Sequence, residues 1–372
     1  MNTDERICSI ALTLCPGIGH IGAKRLVDTV GSAADVFGLR TELPERYPGI
    51  FHTSVVAALD NPAAFLQAEK ELEWAEKNRV DCLTLSDERY PSRLRDCEDA
   101  PIVLFFKGNA DLNRLRVVSM VGTRRATDYG KCFCTDFLRD LSELCSDVLV
   151  VSGLAYGIDV HAHRAALFNG LSTVGVLAHG LDRIYPAVHR KTAVDMLAEG
   201  GLLTEFLTNT NPDRHNFVSR NRIVAGMSDA VIVVESAAKG GSLITAELAE
   251  GYHRDCFAVP GRATDEYSMG CNQLIRDNKA ALINDASDFV KAMNWGHGEE
   301  CRKTAAVQRS FFPELTEEEM RVVKILSRDD LHINTLVVEA NIPVNRMSAI
   351  LFELEMKGVV KALVGGVYHL LA

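Results

Sequence analysis

The segment VLVVSGLAYGIDVHAHRAAL, residues 148–167, decides the fold because it contains one complete strand, turn and helix. Its valine-rich start ends at Ser152 and Gly153, which is typical of a strand that is buried on both faces. Gly157 then leads into a helix, where Asp159 is placed to act as an acid or cap of the first turn. The segment therefore predicts one strand and helix of a parallel sheet.

The same pattern recurs through the middle of the chain. Its apolar runs are VVSMVG (117–122), VLVVSG (148–153), STVGVLAHG (172–180), GLLTEF (201–206), AVIVVES (230–236) and CFAVPG (256–261). Because each run is followed by a turn and a helix, we predict an α/β fold with a Rossmann-like, doubly wound, mainly parallel sheet over residues 76–295. Ligands of such sheets bind beyond the carboxyl ends of the strands.

A helical domain is predicted before this sheet, over residues 1–75. Residues 15–37, CPGIGHIGAKRLVDTVGSAADVF, place Pro16, Gly17 and Gly19 before a helix with an apolar face. This segment resembles a helix-hairpin-helix, so the domain is expected to be SAM-like or helix-hairpin-helix-like. Two interpretations stay open: the turn binds DNA backbone through its N–H groups, or its glycines only make the turn of a packing module.

Beyond the sheet, residues 296–312 are polar and without periodicity, which indicates a linker. Residues 313–372 give a helix, a helix-turn-helix and two short strands across Gly365 and Gly366, which is the pattern of a winged helix. Thr316 and Glu319 are spaced as a capping box. The second helix of the pair carries Glu353 and Glu355, so its charges favour a protein-interaction or regulatory role over DNA reading.

Composition limits the possible functions. The 372 residues are 47% hydrophobic, and no apolar run is long enough for a transmembrane helix. The first residues lack a basic and then apolar signal sequence, so we expect no secretion. The ten cysteines show no paired zinc spacing. A formal net charge of -10 argues against coating nucleic acid through bulk charge, but a local basic groove remains compatible with it.

Three turns at predicted strand ends are suited to anions. In GTRRATDYG (122–130), Gly122 allows a sharp turn, Thr123 can cap the next helix, and Arg124 and Arg125 stand where an anion would dock. The alternative is a capped turn with a solvated arginine pair. The segment lacks the GxGxxG pattern of dinucleotide-binding turns.

The second turn is HNFVSRNRIVAGMSD (215–229), where Arg220, Asn221 and Arg222 precede a helix of small apolar residues. Guanidinium groups offer planar forks of donors for phosphate and base edges. The alternative is a charged helix start that pairs with carboxylates such as Asp213.

The third turn is ESAAKGGSLITAELA (235–249), in which Gly240, Gly241 and Ser242 open a helix without the GK[ST] of a Walker loop. Three such turns on one sheet edge suit an extended polyanion better than a single phosphate. Backbone contacts to a nucleic-acid strand could come from the turns, while bases stack on nearby aromatic rings.

The two histidines of the opening segment do not predict a catalytic or metal site. His161 and His163 are two residues apart, about 200° around a helix, so they cannot easily share a metal. No GxSxG elbow supports a serine nucleophile. We expect His163 to pack under the strand-end loops.

At this point a family resemblance becomes specific. The segments VSMVGTRRATDYG, VVSGLAYGIDVHAHRAAL, GLDRIYP, FVSRNRIVAGMSDAVIVVESAAKGGSLITAELA and FAVPG…GCNQLI resemble, in order and spacing, the DNA-processing protein A (DprA/Smf) family. The resemblance implies a cytoplasmic, non-enzymatic protein of natural transformation and homologous recombination, without a cofactor. It further implies that the protein binds and protects single-stranded DNA, loads the RecA recombinase and forms a homodimer through the Rossmann-like domain.

The family's GTR, RNR and SGSLITA motifs map onto residues 122–124, 220–222 and 240–246. Gly241 replaces the usual serine, and Val218 and Ser219 replace a proline and a basic residue, so Lys239 or Arg214 could supply the missing cation. The residues expected to contact DNA are Gly122, Thr123, Arg124, Arg125, Ser152, Gly153, Arg220, Asn221, Arg222, Lys239, Gly240, Gly241 and Ser242.

Two other functions remain as alternatives. KGGSLITAELAE also looks like the GGxGTxxE turn of nucleotide N-glycosidic hydrolases, with Glu247 as the glutamate and Arg124 or Arg222 as its partner. Leu243 stands where that motif has a glycine, which disfavours the enzyme. A sensor of small nucleotides could use the same turns.

Overall fold

The computed structural model describes residues 4–47, 53–145, 147–295, 316–326, 331–340, 342–357, 359–363 and 367–370. The chain divides into two compact units, Met1–Trp295 and Gly296–Ala372. The predicted linker, residues 296–312, lies outside the described residues. None of the helices in the described parts has both the length and the apolar character needed to cross a membrane.

The first unit begins with six helices. They are α1 (Glu5–Thr13), α2 (His20–Val30), α3 (Ala33–Gly38), α4 (Leu43–Arg46), α5 (Thr53–Leu59) and α6 (Pro62–Lys77). The predicted glycine turn does open a helix, since Gly19 is the N-cap of α2. Buried residues of these helices, such as Leu12 and Leu72, share one core with Cys82 and Phe105 of the adjoining sheet. The proposed domain boundary at residue 75 therefore falls inside α6, two residues before that helix ends.

A nine-stranded sheet follows, in the order β1-β2-β6-β5-β4-β3-β7-β8-β9. The pairs β1/β2 and β2/β6 are antiparallel, and the remaining pairs are parallel. The strands are β1 (Asp81–Thr84), β2 (Val103–Gly108), β3 (Arg116–Val121), β4 (Val148–Ser152), β5 (Ser172–Val176), β6 (Gly201–Thr204), β7 (Ala230–Val233), β8 (Asp255–Ala258) and β9 (Ala281–Leu282). The predicted mainly parallel sheet is confirmed, with an antiparallel extension.

Helices cover both faces of this sheet. They are α7 (Ser92–Arg95), α8 (Asp128–Leu144), α9 (Ile158–Phe168), α10 (Arg190–Glu199), α11 (Arg214–Gly226), α12 (Gly241–Gly251), α13 (Met269–Arg276) and α14 (Ala286–Ala292). Successive side chains of a strand point to opposite faces. Leu149 and Val151 accordingly enter one core, while Val148 and Val150 enter the other. Burial on both sides explains why these strands are continuously apolar.

The order of the strands locates a crevice. From β3 the chain proceeds through β4 and β5 to β6 in one direction, and β7, β8 and β9 then continue in the other direction. The reversal lies between β3 and β7, whose residues Val118–Val121 and Ala230–Val233 pair in parallel. Ligands of open α/β sheets bind beyond the carboxyl ends of the strands at such a switch point.

The second unit is a winged helix, as predicted. It contains α15 (Glu317–Leu326), β10 (Leu331–His332), α16 (Ile333–Ala340), α17 (Val344–Met356), β11 (Val360–Leu363) and β12 (Val367–Leu370), with strand order β10-β12-β11. The capping box is confirmed: Thr316 N–H donates to Glu319 Oε2 at 2.7 Å, and Glu319 N–H donates to Thr316 Oγ1 at 3.3 Å. Gly365 and Gly366, predicted to join the strands, lie outside the described residues.

Candidate functional site

A cleft of about 400 Å³ lies where the switch point predicts a ligand. Its lining comes mainly from three segments: the turn after β3, the first turns of α11 and the turn that enters α12. These are the three segments that the sequence marks as suited to anions. The fold therefore brings together segments that lie as far apart in the chain as Gly122 and Ser242.

The turn after β3 is fixed from two sides. Thr123 N–H donates to the carbonyl oxygen of Glu235 at 2.7 Å, and Ile158 N–H donates to the carbonyl oxygen of Thr123 at 3.2 Å. A side chain at Gly122 would overlap Ile158 and the Glu235 carbonyl. Gly122 is therefore required by close packing, and the turn presents Thr123 and Arg124 to the cleft in a defined position.

Glu235 is a positioning residue that the sequence did not reveal. Its buried carboxylate accepts a hydrogen bond from Thr127 N–H at 2.9 Å and another from the Thr127 hydroxyl. Thr127 is the N-cap of α8. Glu235 thereby ties the carboxyl end of β7 to the turn after β3, through both its side chain and its backbone. The only feature of the sequence that could have marked Glu235 as part of the site is its position directly after the apolar run of residues 230–234.

The turn into α12 presents a helix N-terminus to the cleft. Gly240 is the N-cap, and no side chain caps this end of the helix. Gly241 is exposed, and the first backbone N–H groups of a helix have no partner within the helix, so they are available to a ligand. The hydroxyl of Ser242 is buried and has no hydrogen-bond partner within the described residues. Free N–H groups and the positive end of the helix dipole make this terminus suitable for a phosphate.

Exposed cations surround this terminus. Arg124, Arg214 and Lys239 line the cleft, and none of them lies within 4.0 Å of a carboxylate among residues that the structure describes. The guanidinium of Arg124 lies 4.9 Å from the centroid of the Phe217 ring, which also lines the cleft. The lining of the cleft thus combines three cations with the aromatic ring of Phe217. Arg214 and Lys239 both occupy positions where they could supply the cation that the residues after Phe217 do not.

Arg220 lies at the base of the cleft and is buried. Its Nη1 donates to the Val176 carbonyl, and its Nε has no partner among the described groups. Burial lowers the pKa of Arg220 to about 10, although the nearby Asp159 carboxylate opposes this shift. Burial also raises the pKa of Asp159, and Arg220 opposes that shift. The two groups stabilise each other's charge beneath the site.

Gly153 and Ser152 were expected to contact DNA, but neither residue lines the cleft. A side chain at Gly153 would overlap the Arg220 guanidinium, so this glycine makes room for the arginine. Ser152 is fully buried, and its hydroxyl donates to the Met120 carbonyl at 2.6 Å. Both residues support the site from within the fold, and the expectation that Ser152 contacts DNA is corrected.

Arg222 also lies outside the cleft. Its guanidinium is buried, donates to the Asp99 carbonyl at 2.6 Å and forms an ion pair with Glu205. Residues 220 and 222 are about 200° apart around α11, so their side chains point to opposite sides. The expectation that Arg222 contacts DNA is therefore corrected. The sequence pattern did not reveal Glu205 as the partner, because Glu205 precedes Arg222 by 17 residues and lies on another element.

The remaining expected residues divide between the cleft and its rim. Asn221 is half-buried and lines the cleft. Arg125 is exposed and is absent from the lining, while its N–H donates to Thr123 Oγ1 at 3.1 Å. It therefore lies at the rim and does not line the cleft itself.

The residues of the enzyme alternative are not assembled. Glu247 is exposed and does not line the cleft, and its carboxylate lies 3.9 Å from Lys279 Nζ. Its second candidate partner, Arg222, is held by Glu205. The geometry therefore does not favour the hydrolase interpretation.

The histidines also lack a catalytic arrangement. His163 is fully buried with Nδ1 2.6 Å from Thr173 Oγ1, and burial lowers its pKa to about 3. In the parts of the chain that are described, no three His, Cys, Asp or Glu side chains are grouped to hold a metal ion.

Comparisons with known proteins point to one family. Residues 81–294 match the family model described as DNA recombination-mediator protein A, and residues 312–366 match the model described as DprA winged helix domain. The chain is 35% identical over 239 residues to the DNA processing protein DprA of Streptococcus pneumoniae, which covers 63% of this chain and 83% of that protein.

Two solved structures are similar over most of their length. The X-ray structure of DprA from Streptococcus pneumoniae gives a TM-score of 0.60 at 30% identity, covering 78% of this chain and 98% of that one. The structure of DNA processing protein A from Helicobacter pylori, described for its single-stranded DNA binding mode, gives a TM-score of 0.53 at 29% identity. It covers 59% of this chain and 98% of that one.

Proposed function

The chain belongs to the DNA recombination-mediator protein A (DprA/Smf) family, and from this premise we propose that it binds single-stranded DNA in the cleft at the switch point. One observation carries the proposal. Three exposed cations, which have no carboxylate partner within the described residues, converge with an uncapped helix N-terminus on one crevice. The relative from Helicobacter pylori, which is described as binding single-stranded DNA, supports it.

The proposed mode of binding uses different groups for the backbone and the bases. A phosphate accepts hydrogen bonds from the first N–H groups of α12 and from the Ser242 hydroxyl. Arg124 and Lys239 neutralise this phosphate and its neighbour, with release of counterions. Bases stack on Phe217 and on Tyr185, whose ring centroid lies 6.1 Å from that of Phe217.

This arrangement favours a single strand over a duplex. The faces of paired bases are covered by their neighbours in a duplex, whereas an unpaired strand can turn its bases towards Phe217 and Tyr185. The contacts named above read the phosphate and the ring face, so they carry little sequence preference.

The test is an equilibrium binding comparison of single-stranded and duplex oligonucleotides across a salt series, using wild type and Arg124→Ala. Arg139→Ala is the matched control, because Arg139 is an exposed arginine of α8 that already pairs with Asp136 and Asp140. We expect wild type and the control to prefer the single strand, and Arg124→Ala to bind it more weakly. Equal binding of both DNA forms, or no effect of Arg124→Ala, would contradict the proposal.

We further propose that the bound strand is handed to the RecA recombinase during natural transformation. The family's description as a recombination mediator supports this role. The expected result is that the chain accelerates RecA filament formation on DNA coated with a single-strand-binding protein, and that Arg124→Ala does not. Acceleration that is unchanged in Arg124→Ala would separate the two activities.

We also propose that the protein forms a homodimer through the sheet-containing unit and acts as a binding protein without catalysis. Sedimentation of the fragment 1–295 tests the first point, and a monomer at all concentrations would contradict it. Incubation with nucleoside monophosphates tests the second. Release of free base that disappears in Glu247→Gln would show an enzyme.

A further inference from the structure

A second cavity, of about 620 Å³, lies beside β6 in the first unit. Its walls come from the turn between α1 and α2, from α6 and from the segment that follows β6. Leu14, Ile18 and Phe206 give it apolar sides, and Glu205 and His20 supply the main ionisable groups. None of the functions described above uses this cavity.

Glu205 lines this cavity and carries a buried, unsatisfied acceptor. Its side chain is only 5% exposed, although the residue lines the cavity. Arg222 and His20 both approach the same oxygen, Oε2, and His20 Nδ1 lies 3.3 Å from it. The other oxygen, Oε1, is buried and has no partner among the described groups. A buried acceptor without a donor is costly, so a ligand that donates a hydrogen bond here would be stabilised.

The ionisable groups around the cavity disfavour an anionic ligand. Burial raises the pKa of Glu205 to about 7, and Arg222 opposes this shift. Burial also lowers the pKa of His20 to about 4, so this imidazole is neutral at pH 7. A phosphate in this cavity would meet the carboxylate of Glu205. The nearby guanidinium of Arg222 is already paired with that carboxylate, so an anion is disfavoured.

Side-chain contacts and short stretches of chain connect the cleft with this cavity. Arg124 contacts Phe217, and the Phe217 ring faces that of Tyr185. Two residues before Tyr185, Arg183 Nη1 donates to Asn211 Oδ1 at 2.9 Å. The preceding residues Asn209 and Thr210 line the cavity. Three strand spacings of about 4.8 Å separate β3 from β6, so the path along the sheet edge is about 15 Å, a distance that a few nucleotides span.

We propose that this cavity is a base-binding subsite, in which a strand leaving the cleft inserts one base that donates its exocyclic amino group to Glu205 Oε1. The inference rests on the proposed function, because it assumes that DNA occupies the cleft. The apolar walls suit the faces of a base, and the acceptor suits an amino group of cytosine, adenine or guanine. Thymine is disfavoured, because carbonyl oxygens flank its single N–H and would face the carboxylate.

The test uses oligothymidylate in which a single cytosine is moved through successive positions. For wild type at pH 8, where Glu205 is mainly ionised, we expect one position at which cytosine raises the affinity about tenfold, the lower end of the range for a hydrogen bond to a charged acceptor. Gln67→Trp should abolish this increase and leave the affinity for plain oligothymidylate unchanged. Gln67 is exposed on α6 and lines the cavity, so an indole there blocks the entrance without touching Glu205.

Glu69→Trp is the matched control, because Glu69 is exposed on the same helix and lies outside the lining. It should keep the cytosine effect. Glu205→Gln should lose it, because a glutamine amide can also donate to thymine. A wild type without any favoured position, or an effect that survives Gln67→Trp, would overturn the inference. If binding of oligothymidylate itself does not depend on Arg124, the proposed function has failed instead.

Discussion

The cleft between β3 and β7 and the cavity beside β6 lie on the same edge of one sheet, yet their charged groups differ. The cleft has three exposed cations without a carboxylate partner among the residues that the structure describes. The cavity is lined by the carboxylate of Glu205, which forms an ion pair with Arg222. Arg220 and Arg222, separated by one residue of α11, serve the two sites respectively. Residues of one motif thus support different sites, because a helix turns neighbouring side chains to different sides.

The largest expected effect is on the free energy of unfolding, and it arises at Arg222. Arg222→Met leaves the buried Glu205 carboxylate without its ion-pair partner, which should reduce the free energy of unfolding by about 3–5 kcal/mol at pH 8. Urea denaturation measures the loss. Arg139→Met, at an exposed ion pair, should change it by less than about 0.5 kcal/mol.

The pH dependence of this loss sharpens the comparison. Glu205 has a pKa raised to about 7 in the folded protein from 4.5, so it binds its proton more tightly when folded, and its contribution to stability falls as pH rises from 4.5 to 7. Without Arg222 the folded pKa rises further, so this fall continues above pH 7. The difference between wild type and Arg222→Met should therefore be about 1 kcal/mol larger at pH 8 than at pH 6, on top of a part that does not depend on pH. A pH-independent difference would contradict the buried carboxylate.

The second effect concerns the cleft. Replacing both Arg124 and Lys239 by alanine should weaken binding of single-stranded DNA about 100-fold at low salt, and reduce the slope of log K against log salt by about 1.4, because two phosphate contacts are lost. Thermal stability should stay unchanged, since both side chains are exposed. An unchanged salt slope would place the phosphates elsewhere.

The third prediction concerns Gly153, which packs against Arg220 at the base of the cleft. Gly153→Ala should displace the Arg220 guanidinium, because the new methyl group would occupy its position. We expect about 1–3 kcal/mol of destabilisation, as for other overpacked sites, together with weaker DNA binding. Gly251→Ala is the control, because open space surrounds that glycine within α12. Full DNA affinity in folded Gly153→Ala would mean that Arg220 has no part in binding.

The smallest expected effect is at the helix terminus. Ser242→Ala removes one hydroxyl donor from the proposed phosphate site and should lower the affinity about threefold to tenfold, the size of one hydrogen bond. The hydroxyl has no partner among the described groups of the free protein, so stability should not fall. A loss of stability without a loss of affinity would indicate a structural role instead.

Much of the fold was predictable because its signals are local. Continuous apolar runs predicted β3 to β8, and glycine-containing turns predicted two of the three segments around the cleft. Residues 220–222 were expected before a helix, but they lie inside α11, which begins at Arg214. The antiparallel strands β1 and β2 were missed, because their places at the sheet edge depend on pairing with β6 far along the chain. The direction of Arg222 and the burial of Ser152 were missed for the same reason, since Glu205 and Met120 are partners supplied by other elements.

Photocrosslinking of an oligonucleotide that contains 5-iododeoxyuridine tests the central claim most directly, because it reports which aromatic side chains the bases touch. With the full chain, we predict crosslinks at Phe217 or Tyr185, and their loss in the variant that lacks both Arg124 and Lys239. Crosslinks confined to the winged helix or to α1–α6, unaffected in that variant, would contradict a DNA site at the switch point.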